Sequence, residues 1–204
     1  SDPYSIEEHQ ESRWIVEPLH LLDCAAQSDG GAYLIVTNSE NAASFEDPAY
    51  ITGMRELPSG RNDFVGGGAA MNGMGIRTQE KYDYDPSVKD SFYENTGVTR
   101  EDIDGVYIYD AFAPNIWYGL ETWGFCEPGT GYQFCKDGTI AVDGKLPVNT
   151  HGGHLSNGHF SGWNHLVEMY HQLSDDDLGQ RQVKNADNVQ WATPWGDSIL
   201  MRRA

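Results

Sequence analysis

Basic residues are few in this chain. Its 204 residues include 13 lysines and arginines against 31 aspartates and glutamates, which gives a formal net charge of −18. An acidic surface repels the phosphate backbones of DNA and RNA. We therefore expect no nucleic-acid partner for this protein.

Cysteines are also scarce. The three cysteines, Cys24, Cys126 and Cys135, are an odd number and form no C-x-x-C pair. Small secreted domains that depend on disulfides carry an even set of cysteines, whereas unpaired thiols are typical of a reducing compartment. The pattern predicts a cytoplasmic protein without a disulfide framework.

Long apolar runs are absent. A membrane-spanning helix needs about 20 consecutive apolar residues, and no segment of the chain approaches that length. Residues 1–14 also lack the basic flank and apolar core of a secretory signal peptide. We therefore expect no membrane span and no signal peptide, while a hydrophobic content of 39% is enough for a folded core.

Motifs that mark several common active sites are missing. The chain has no H-E-x-x-H zinc motif, no G-x-x-x-x-G-K-[ST] phosphate loop and no G-x-G-x-x-G turn after a predicted strand. Its densest group of chemically active residues is instead the stretch NTHGGHLSNGHFSGW at 149–163. This stretch is the first candidate for a functional site.

Three interpretations fit this histidine-rich stretch. His151, His154 and His159 are spaced H-x2-H-x4-H, and zinc sites use several histidines, but a Gly-Gly hinge prevents them from lining one helix face. His159 also precedes a predicted helix, where a neutral imidazole can donate a hydrogen bond to a developing oxyanion. A loop whose glycines only allow tight packing is the third interpretation. We expect no metal.

Periodicity and turn residues predict an α/β protein. Helices and strands alternate along the chain, and a glycine-rich loop is expected at 66–75. The predicted helices cover 5–16, 85–97, 114–125 and 161–173, and the predicted strands cover 32–37, 49–57, 106–112, 188–194 and 197–203. The last two strands are expected to form a hairpin around PWG, and the strand at 32–37 is expected to be buried.

Three helices carry a predicted buried stripe. Such stripes repeat every three to four residues and face the core. The stripe residues are Val88, Phe92 and Asn95 in the first helix, Ile116, Leu120 and Trp123 in the second, and Trp163, Leu166, Val167, Tyr170 and Leu173 in the third.

Three segments together resemble the C-terminal half of the thiolase superfamily. They are PLHLLDCAAQSDGGAYLIV at 18–36, YDAFAPNIWYGLETWGF at 109–125 and PVNTHGGHLSNGH at 147–159. The resemblance is greatest to the branch of sterol-carrier-protein thiolases and lipid-transfer proteins, which carries an HDCF-like tetrapeptide, then LE-x-x-GF, then P-x-N-x-x-GG-x-x-x-x-GH. It runs over most of the chain.

The resemblance implies a thiolase-like α/β fold, a mixed sheet with helices on both faces. Residues 1–48 would be the end of the thiolase N-terminal half, with its last helix and strand, and residues 49–204 the C-terminal domain. The family's nucleophilic cysteine belongs to the N-terminal half. The resemblance therefore implies that this chain is either a fragment or one of two polypeptides.

The sequence departs from the family at two catalytic positions. The second family cysteine lies in a C-x-G turn, and the matching turn here, ATPWGDS, has Thr193 or Pro194 in its place. Tyr109 stands where the branch has histidine and other thiolases have asparagine. Both departures resemble the lipid-transfer-protein-like aldolases of steroid side-chain breakdown, which cleave a β-hydroxyacyl-CoA by retro-aldol chemistry and pair with an OB-fold (DUF35) subunit.

That resemblance implies a site and a set of partners. Tyr109 would take the hydroxyl proton and His159 would hold the thioester oxygen, while His154, Asn157 and Asp110 would bind the substrate. No cofactor is expected besides the coenzyme A thioester substrate, and the protein is expected to form a homodimer through the thiolase interface.

Two other functions remain open at this point. The chain could belong to an acetyl-CoA acyltransferase, that is a thiolase, or to a non-catalytic subunit that binds lipids or acyl-CoA. Structural roles also remain open for single residues: Tyr109 as a core tyrosine at a strand end, Asp110 as a helix cap, and Asn149 as a hydrogen-bond partner of the Gly-Gly loop. Catalysis requires Tyr109 and His159 to converge on one cavity, and simple binding does not.

Overall fold

The computed structural model of the chain describes residues 4–55, 87–174 and 177–204. The glycine-rich loop predicted at 66–75 lies outside these residues. The strands are β1 (Trp14–Val16), β2 (Leu19–His20), β3 (Ala49–Arg55), β4 (Gly105–Ile108), β5 (Asn188–Ala192) and β6 (Ser198–Arg203). Strands β1 and β2 pair with each other, and the other four form the main sheet.

The main sheet is mixed, as predicted. Its order is β3–β6–β5–β4, with β4 and β5 parallel and the other two pairs antiparallel. The predicted hairpin of β5 and β6 is confirmed. Residues 147–149 extend the sheet beyond β4, because Val106 N–H donates to Pro147 O at 2.9 Å and Asn149 N–H donates to Val106 O at 3.0 Å. This edge holds the histidine-rich stretch beside the end of β4.

The helices include the four that the sequence predicts. They are α1 (Ile6–Glu11), α2 (Ser39–Ala42), α3 (Ser87–Thr96), α4 (Pro114–Thr122), α5 (Gly131–Phe134), α6 (Gly153–Ser156) and α7 (Trp163–Leu173). Within the described parts of the chain, no helix has the length and apolar character needed to cross a bilayer.

Helix α1 shows how a local signal sets one end of a helix. The Ser5 side chain accepts the Glu8 N–H, and the Glu8 side chain accepts the Ser5 N–H, so two orphan donors of the first turn are satisfied. The helix ends at Glu11, and the prediction that it reaches residue 16 is wrong. Trp14–Val16 is strand β1 instead, consistent with the preference of aromatic and β-branched residues for strands.

Helices cover both faces of the main sheet, as predicted. Successive strand residues point to opposite faces, so Val106 and Ile108 pack with Leu120 and Trp123 of the α4 segment on one face. Tyr107 packs with Met169 and Leu173 of α7 on the other face. Burying each large apolar side chain contributes about 1.5–3 kcal/mol. The two cores thus fix the strand ends that carry the candidate site.

The predicted buried stripe of α4 is confirmed, and the predicted buried stripe of α3 is confirmed only in part. Leu120 and Trp123 are buried, with Ile116 packed against the same core. In α3, Phe92 is buried but Asn95 is exposed. The side chain of Val88 lies outside the described residues.

The predicted buried face of α7 is wrong for its aromatic residues. Trp163 is 50% exposed and Tyr170 is 36% exposed. The buried residues of the helix are Asn164, His165, Glu168, Met169, Gln172 and Leu173. Hydrogen bonds explain why polar residues of this helix are buried, since the Glu168 carboxylate accepts bonds from Gln172 Nε2 at 2.9 Å and from Arg181 Nε at 3.2 Å. Hydrophobic periodicity does not detect a face buried through polar partners.

The predicted buried strand at 32–37 is not formed. Residues 25–38 have no regular structure, and Tyr33, Ile35 and Val36 are 94%, 89% and 74% exposed. A strand needs a neighbouring strand to satisfy its N–H and C=O groups, and among the described residues none lies beside this segment. The predicted boundary between residues 48 and 49 stays a prediction.

Candidate active site

Tyr109 and Asp110 follow directly after β4, at the carboxyl end of the strand. The Tyr109 N–H donates to Ala192 O at 3.0 Å, so the parallel ladder with β5 continues one residue beyond the strand. This backbone bond fixes where the tyrosine side chain starts. Ligand sites commonly lie at the carboxyl ends of parallel strands.

Asn149 ties the histidine-rich stretch to the same strand end. Its Oδ1 accepts the Ile108 N–H at 2.8 Å, and its Nδ2 donates to Ile108 O at 2.9 Å. The expectation that Asn149 hydrogen-bonds the Gly-Gly loop is confirmed through its backbone oxygen, which accepts the Gly152 N–H at 2.8 Å. The double bond to Ile108 holds the loop beside Tyr109.

Tyr109 and His159 are in direct contact. Tyr109 Oη lies 2.7 Å from His159 Nε2, which is hydrogen-bond distance. The Trp195 ring packs against the Tyr109 ring edge-on, with 5.2 Å between centroids. Burial, and then the charge of Asp110, raises the pKa of Tyr109 above its ordinary value. The phenol therefore keeps its proton at neutral pH, and the catalytic role of the pair stays a prediction.

Asp110 is buried within the protein. It is 2% exposed, and its Oδ1 accepts the His154 N–H at 2.7 Å, so it caps the start of α6 from a neighbouring segment. Gly153 makes this approach possible: its φ is 62°, and a Cβ there would overlap Asp110 Oδ2. The structural-cap interpretation of Asp110 therefore fits the geometry, while a direct contact with substrate stays a prediction.

His154 is held at its backbone and at its ring. Its Nε2 accepts the Gly162 N–H at 3.1 Å. A backbone N–H is always a donor, so the neutral ring carries its proton on Nδ1, which faces Asp110 Oδ1 at 3.5 Å. Burial and the charge of His165 lower the pKa of His154 to about 3, although Asp110 opposes this. The ring is therefore neutral.

Two further histidines surround Asp110. Burial, followed by the charge of His165, lowers the pKa of His151 to about 3. His165 is fully buried, and its Nε2 lies 3.5 Å from Asp110 Oδ1. Burial alone would raise the pKa of Asp110, but the interaction with His165 and the N–H of His154 hold it below its ordinary value. Asp110 is thus a buried carboxylate among histidines.

This cluster includes a set of potential metal ligands. One ligand atom each from Asp110, His154 and His165 lie within 4.8 Å of one another, and these are donor types that zinc uses. A metal needs the lone pair of a ring nitrogen, and Nδ1 of His154 carries a proton because Nε2 accepts the Gly162 N–H. The hydrogen-bonded arrangement therefore does not fit a metal through His154.

The remaining predicted site residues, His159 and Asn157, are less buried than Asp110 and His154. His159 comes three residues before Gly162, the N-cap of α7, so it is near that helix but outside its first turn. Asn157 is exposed at the C-cap of α6. Its substrate-binding role stays a prediction.

An N-terminal segment forms one wall of the site. The Ala25 N–H donates to Ala111 O at 2.9 Å, and the His159 N–H donates to Ser28 Oγ at 3.4 Å. Sequence reasoning did not place Ser28 or His165 at the site. The SDGG turn within the thiolase-like segment at 18–36 was the one signal in the sequence for this wall.

The family comparison agrees with this geometry. The family model described as thiolase C-terminal domain-like matches residues 86–196, which include β4, the Gly-Gly loop and the turn after β5. The chain belongs to this thiolase family.

Named relatives of this thiolase-family chain include two lyases. A steroid side-chain-cleaving aldolase of Thermomonospora curvata is 37% identical over 87% of this chain and 44% of its own length. A 17-hydroxy-3-oxo-4-pregnene-20-carboxyl-CoA lyase of Mycobacterium tuberculosis is 34% identical over 84% of this chain and 43% of its own length.

A solved structure is similar over almost the whole chain. This structure, the Ltp2-ChsH2(DUF35) aldolase, superposes with a TM-score of 0.81 at 33% identity, covering 98% of this chain and 51% of that one. The thiolase-like mixed-sheet fold is confirmed. The chain spans about half the length of the proteins it matches.

Proposed function

We propose that this chain contributes the acid–base half of an enzyme that cleaves a lipid or steroid β-hydroxyacyl-CoA by a retro-aldol reaction. The observation that carries the proposal is the 2.7 Å contact between Tyr109 Oη and His159 Nε2 at the end of β4. The similarity to two lyases of the same family supports the same reaction class.

The contact suggests how the proton moves. Because burial keeps the Tyr109 phenol protonated, the tyrosine can accept the substrate's hydroxyl proton only while it passes its own proton to a base. His159 Nε2 lies at hydrogen-bond distance from its oxygen and is that base. A positioned acid–base group of this kind contributes about 10²–10⁴ in rate.

The bond changes then balance. The electrons of the substrate O–H bond form the new C=O bond, the Cα–Cβ bond breaks, and its electrons form the thioester enolate. His159, now an imidazolium, stabilises the enolate charge, and a donor at such an oxyanion contributes about 10²–10³ in rate. The His159 imidazolium then gives its proton to Cα of the enolate, which forms the shortened acyl-CoA and returns His159 and Tyr109 to their starting states.

The cysteines of this chain do not favour thiolysis. The pKa of Cys24 is raised by burial and by Asp23, and burial, followed by Cys126, raises the pKa of Cys135 to about 11. Burial also raises the pKa of Cys126. Thiolate nucleophiles need the opposite shift. Thr193 is buried, and its Oγ1 accepts the Asp197 N–H at 2.9 Å, so it does not replace the missing family cysteine as a base.

The proposal includes partners for the assembled enzyme. In this proposal the chain combines with the other half of the thiolase fold, and the resulting enzyme is a homodimer. The enzyme also binds an OB-fold (DUF35) subunit like the DUF35 component of the similar aldolase structure. The acyl-CoA is the substrate, and no other cofactor takes part. The cytoplasm is the proposed location, because acyl-CoA metabolism and three free thiols fit a reducing compartment.

Product analysis tests this function. The assembled enzyme is incubated with a steroid β-hydroxyacyl-CoA, and mass spectrometry follows the shortened acyl-CoA and the ketone or aldehyde. We expect the two products to appear in equal amounts without added coenzyme A. Products that require free coenzyme A and a 3-ketoacyl-CoA identify an acyltransferase, and tight binding without turnover identifies a non-catalytic subunit.

A further inference from the structure

We propose that Asp110 and His154 are positioning residues that set the geometry of the Tyr109–His159 pair. The inference rests on the proposed function of that pair. Neither residue needs to touch substrate for this role, because Asp110 is 2% exposed and His154 is 1% exposed.

His154 is fixed on two sides. Its N–H and its ring Nδ1 both face Asp110 Oδ1, at 2.7 Å and 3.5 Å, while its Nε2 accepts the Gly162 N–H at 3.1 Å. The carboxylate cannot retreat towards α6, since its Oδ2 already fills the space next to Gly153. Asp110 therefore holds the backbone of His154 in place, and the Gly162 N–H sets the tautomer of its imidazole.

The fixed imidazole ring contacts both members of the pair. The His154 ring lies 4.6 Å from the Tyr109 ring at 76°, and 4.6 Å from the His159 ring at 50°. Tyr109 and His159 thus both pack against the His154 ring. A shift of His154 changes the hydrogen bond between them, and a misplacement of about 1 Å can lower a catalytic rate by about 10²-fold.

Substitutions at position 154 differ in what they retain. A glutamine keeps a side-chain oxygen that can accept the Gly162 N–H, whereas a phenylalanine keeps the ring size and loses that acceptor. We therefore expect His154→Gln to retain kcat within about tenfold and His154→Phe to lower kcat by about 10²-fold. Both variants should leave KM nearly unchanged, because the side chain at position 154 is buried behind Tyr109 and His159 and does not need to touch the substrate.

Asp110→Asn separates the charge of the carboxylate from its place in the fold. Asp104→Asn is the matched control, because Asp104 Oδ2 also accepts two backbone N–H groups, those of Asp187 and Asn188 at 2.8 and 2.9 Å, and lies at the other end of β4. We expect the Asp110 variant to lower kcat more than the control at equal thermal stability. Equal kcat in the two variants would overturn the proposal.

A second readout does not depend on activity. Nitrogen-15 NMR of the imidazole rings should show the Nδ1–H tautomer for His154, and Asp110→Asn and His154→Phe should shift the His159 signals while Asp104→Asn does not. Unmoved His159 signals overturn the positioning role, even if the enzyme is an aldolase. Moved signals support it even if the wild type cleaves no β-hydroxyacyl-CoA, so the two proposals fail separately. If His154→Phe does not fold, the Asp110→Asn and His154→Gln spectra decide.

Discussion

At the residue scale, Tyr109 and His159 are expected to act as one unit. Tyr109 takes the substrate proton only while it passes its own proton to His159, so removing either residue stops the proton transfer. We expect Tyr109→Phe and His159→Gln each to lower kcat by about 10²–10⁴, and the double variant to be no slower than the slower single variant. Single-turnover rates of the three variants measure this. Multiplicative losses in the double variant would show that the two residues act independently.

A second residue-scale prediction concerns acid stability. His151 and His154 have a pKa of about 3 in the folded chain, against about 6.5 for an ordinary histidine. Between these values the unfolded chain binds more protons, so the free energy of unfolding falls as the pH drops from about 6.5 towards 3. The slope is up to about 1.4 kcal/mol per pH unit for each histidine.

Urea unfolding of the chain between about pH 6.5 and 5 isolates this effect, since most carboxylates titrate lower. His154→Gln should reduce the slope. A slope that His154→Gln leaves unchanged would contradict the burial of a neutral His154.

At the element scale, the turn into α6 makes a sharp prediction. Gly153 and Gly97 both have a positive φ, 62° and 68°, but a Cβ at Gly97 meets nothing within 4 Å. Gly97→Ala should therefore cost about 1–2 kcal/mol of backbone strain. Gly153→Ala should cost more, because its Cβ also displaces the Asp110 carboxylate. Thermal melts of the two variants compare them, and equal losses would show that Asp110 moves aside freely.

Elements set by local signals could be predicted from the sequence. The capping serine of α1, the glycine that follows α3 and the PWG turn between β5 and β6 each place an end of a helix or strand. Short-range chemistry decides such ends. The order of strands in the sheet was not predicted, since no local pattern specifies which strands pair.

Burial was harder to predict than secondary structure. The face of α7 was missed because Glu168 and Gln172 are buried through hydrogen bonds, which a hydrophobic stripe does not reveal. The prediction of a buried strand at 32–37 was wrong for another reason. The apolar residues of this segment indicate that their side chains become buried against another element. They do not indicate whether the neighbouring strand belongs to the same polypeptide.

The candidate site could be predicted only as residue identities. Tyr109 and His159 lie 50 positions apart, and their contact depends on the parallel pairing of β4 with β5 and on the Asn149 bonds to Ile108. The sequence presents the buried histidines around Asp110 as separate residues. Their common position appears only when α6 and α7 fold back over the end of β4.

At the scale of the whole molecule, the chain spans about half the length of the proteins it matches. The exposed apolar side chains of Tyr33, Ile35 and Val36 fit a surface that the proposed other half of the thiolase fold would cover. We expect Ile35→Asp to weaken co-purification with the completing half by at least about tenfold while leaving the melting of this chain unchanged, because burying one unpaired charge costs several kcal/mol.

Ile6→Asp is the matched control, since Ile6 is also highly exposed, at 77%, and lies in α1. The control should co-purify like the wild type. Equal behaviour of the two variants would place the interface elsewhere.

In the proposed reaction, Tyr109 removes a proton from a β-hydroxyl group and does not assist thiolysis. A paired assay of the assembled enzyme separates the two roles: wild type and Tyr109→Phe are compared for cleavage of a β-hydroxyacyl-CoA and for thiolysis of a 3-ketoacyl-CoA with free coenzyme A. We predict rapid cleavage by the wild type, a fall of about 10²–10⁴ in Tyr109→Phe, and no significant thiolysis by either. Strong thiolysis by the wild type, retained in Tyr109→Phe, would contradict the aldolase mechanism and return the protein to the condensing thiolases.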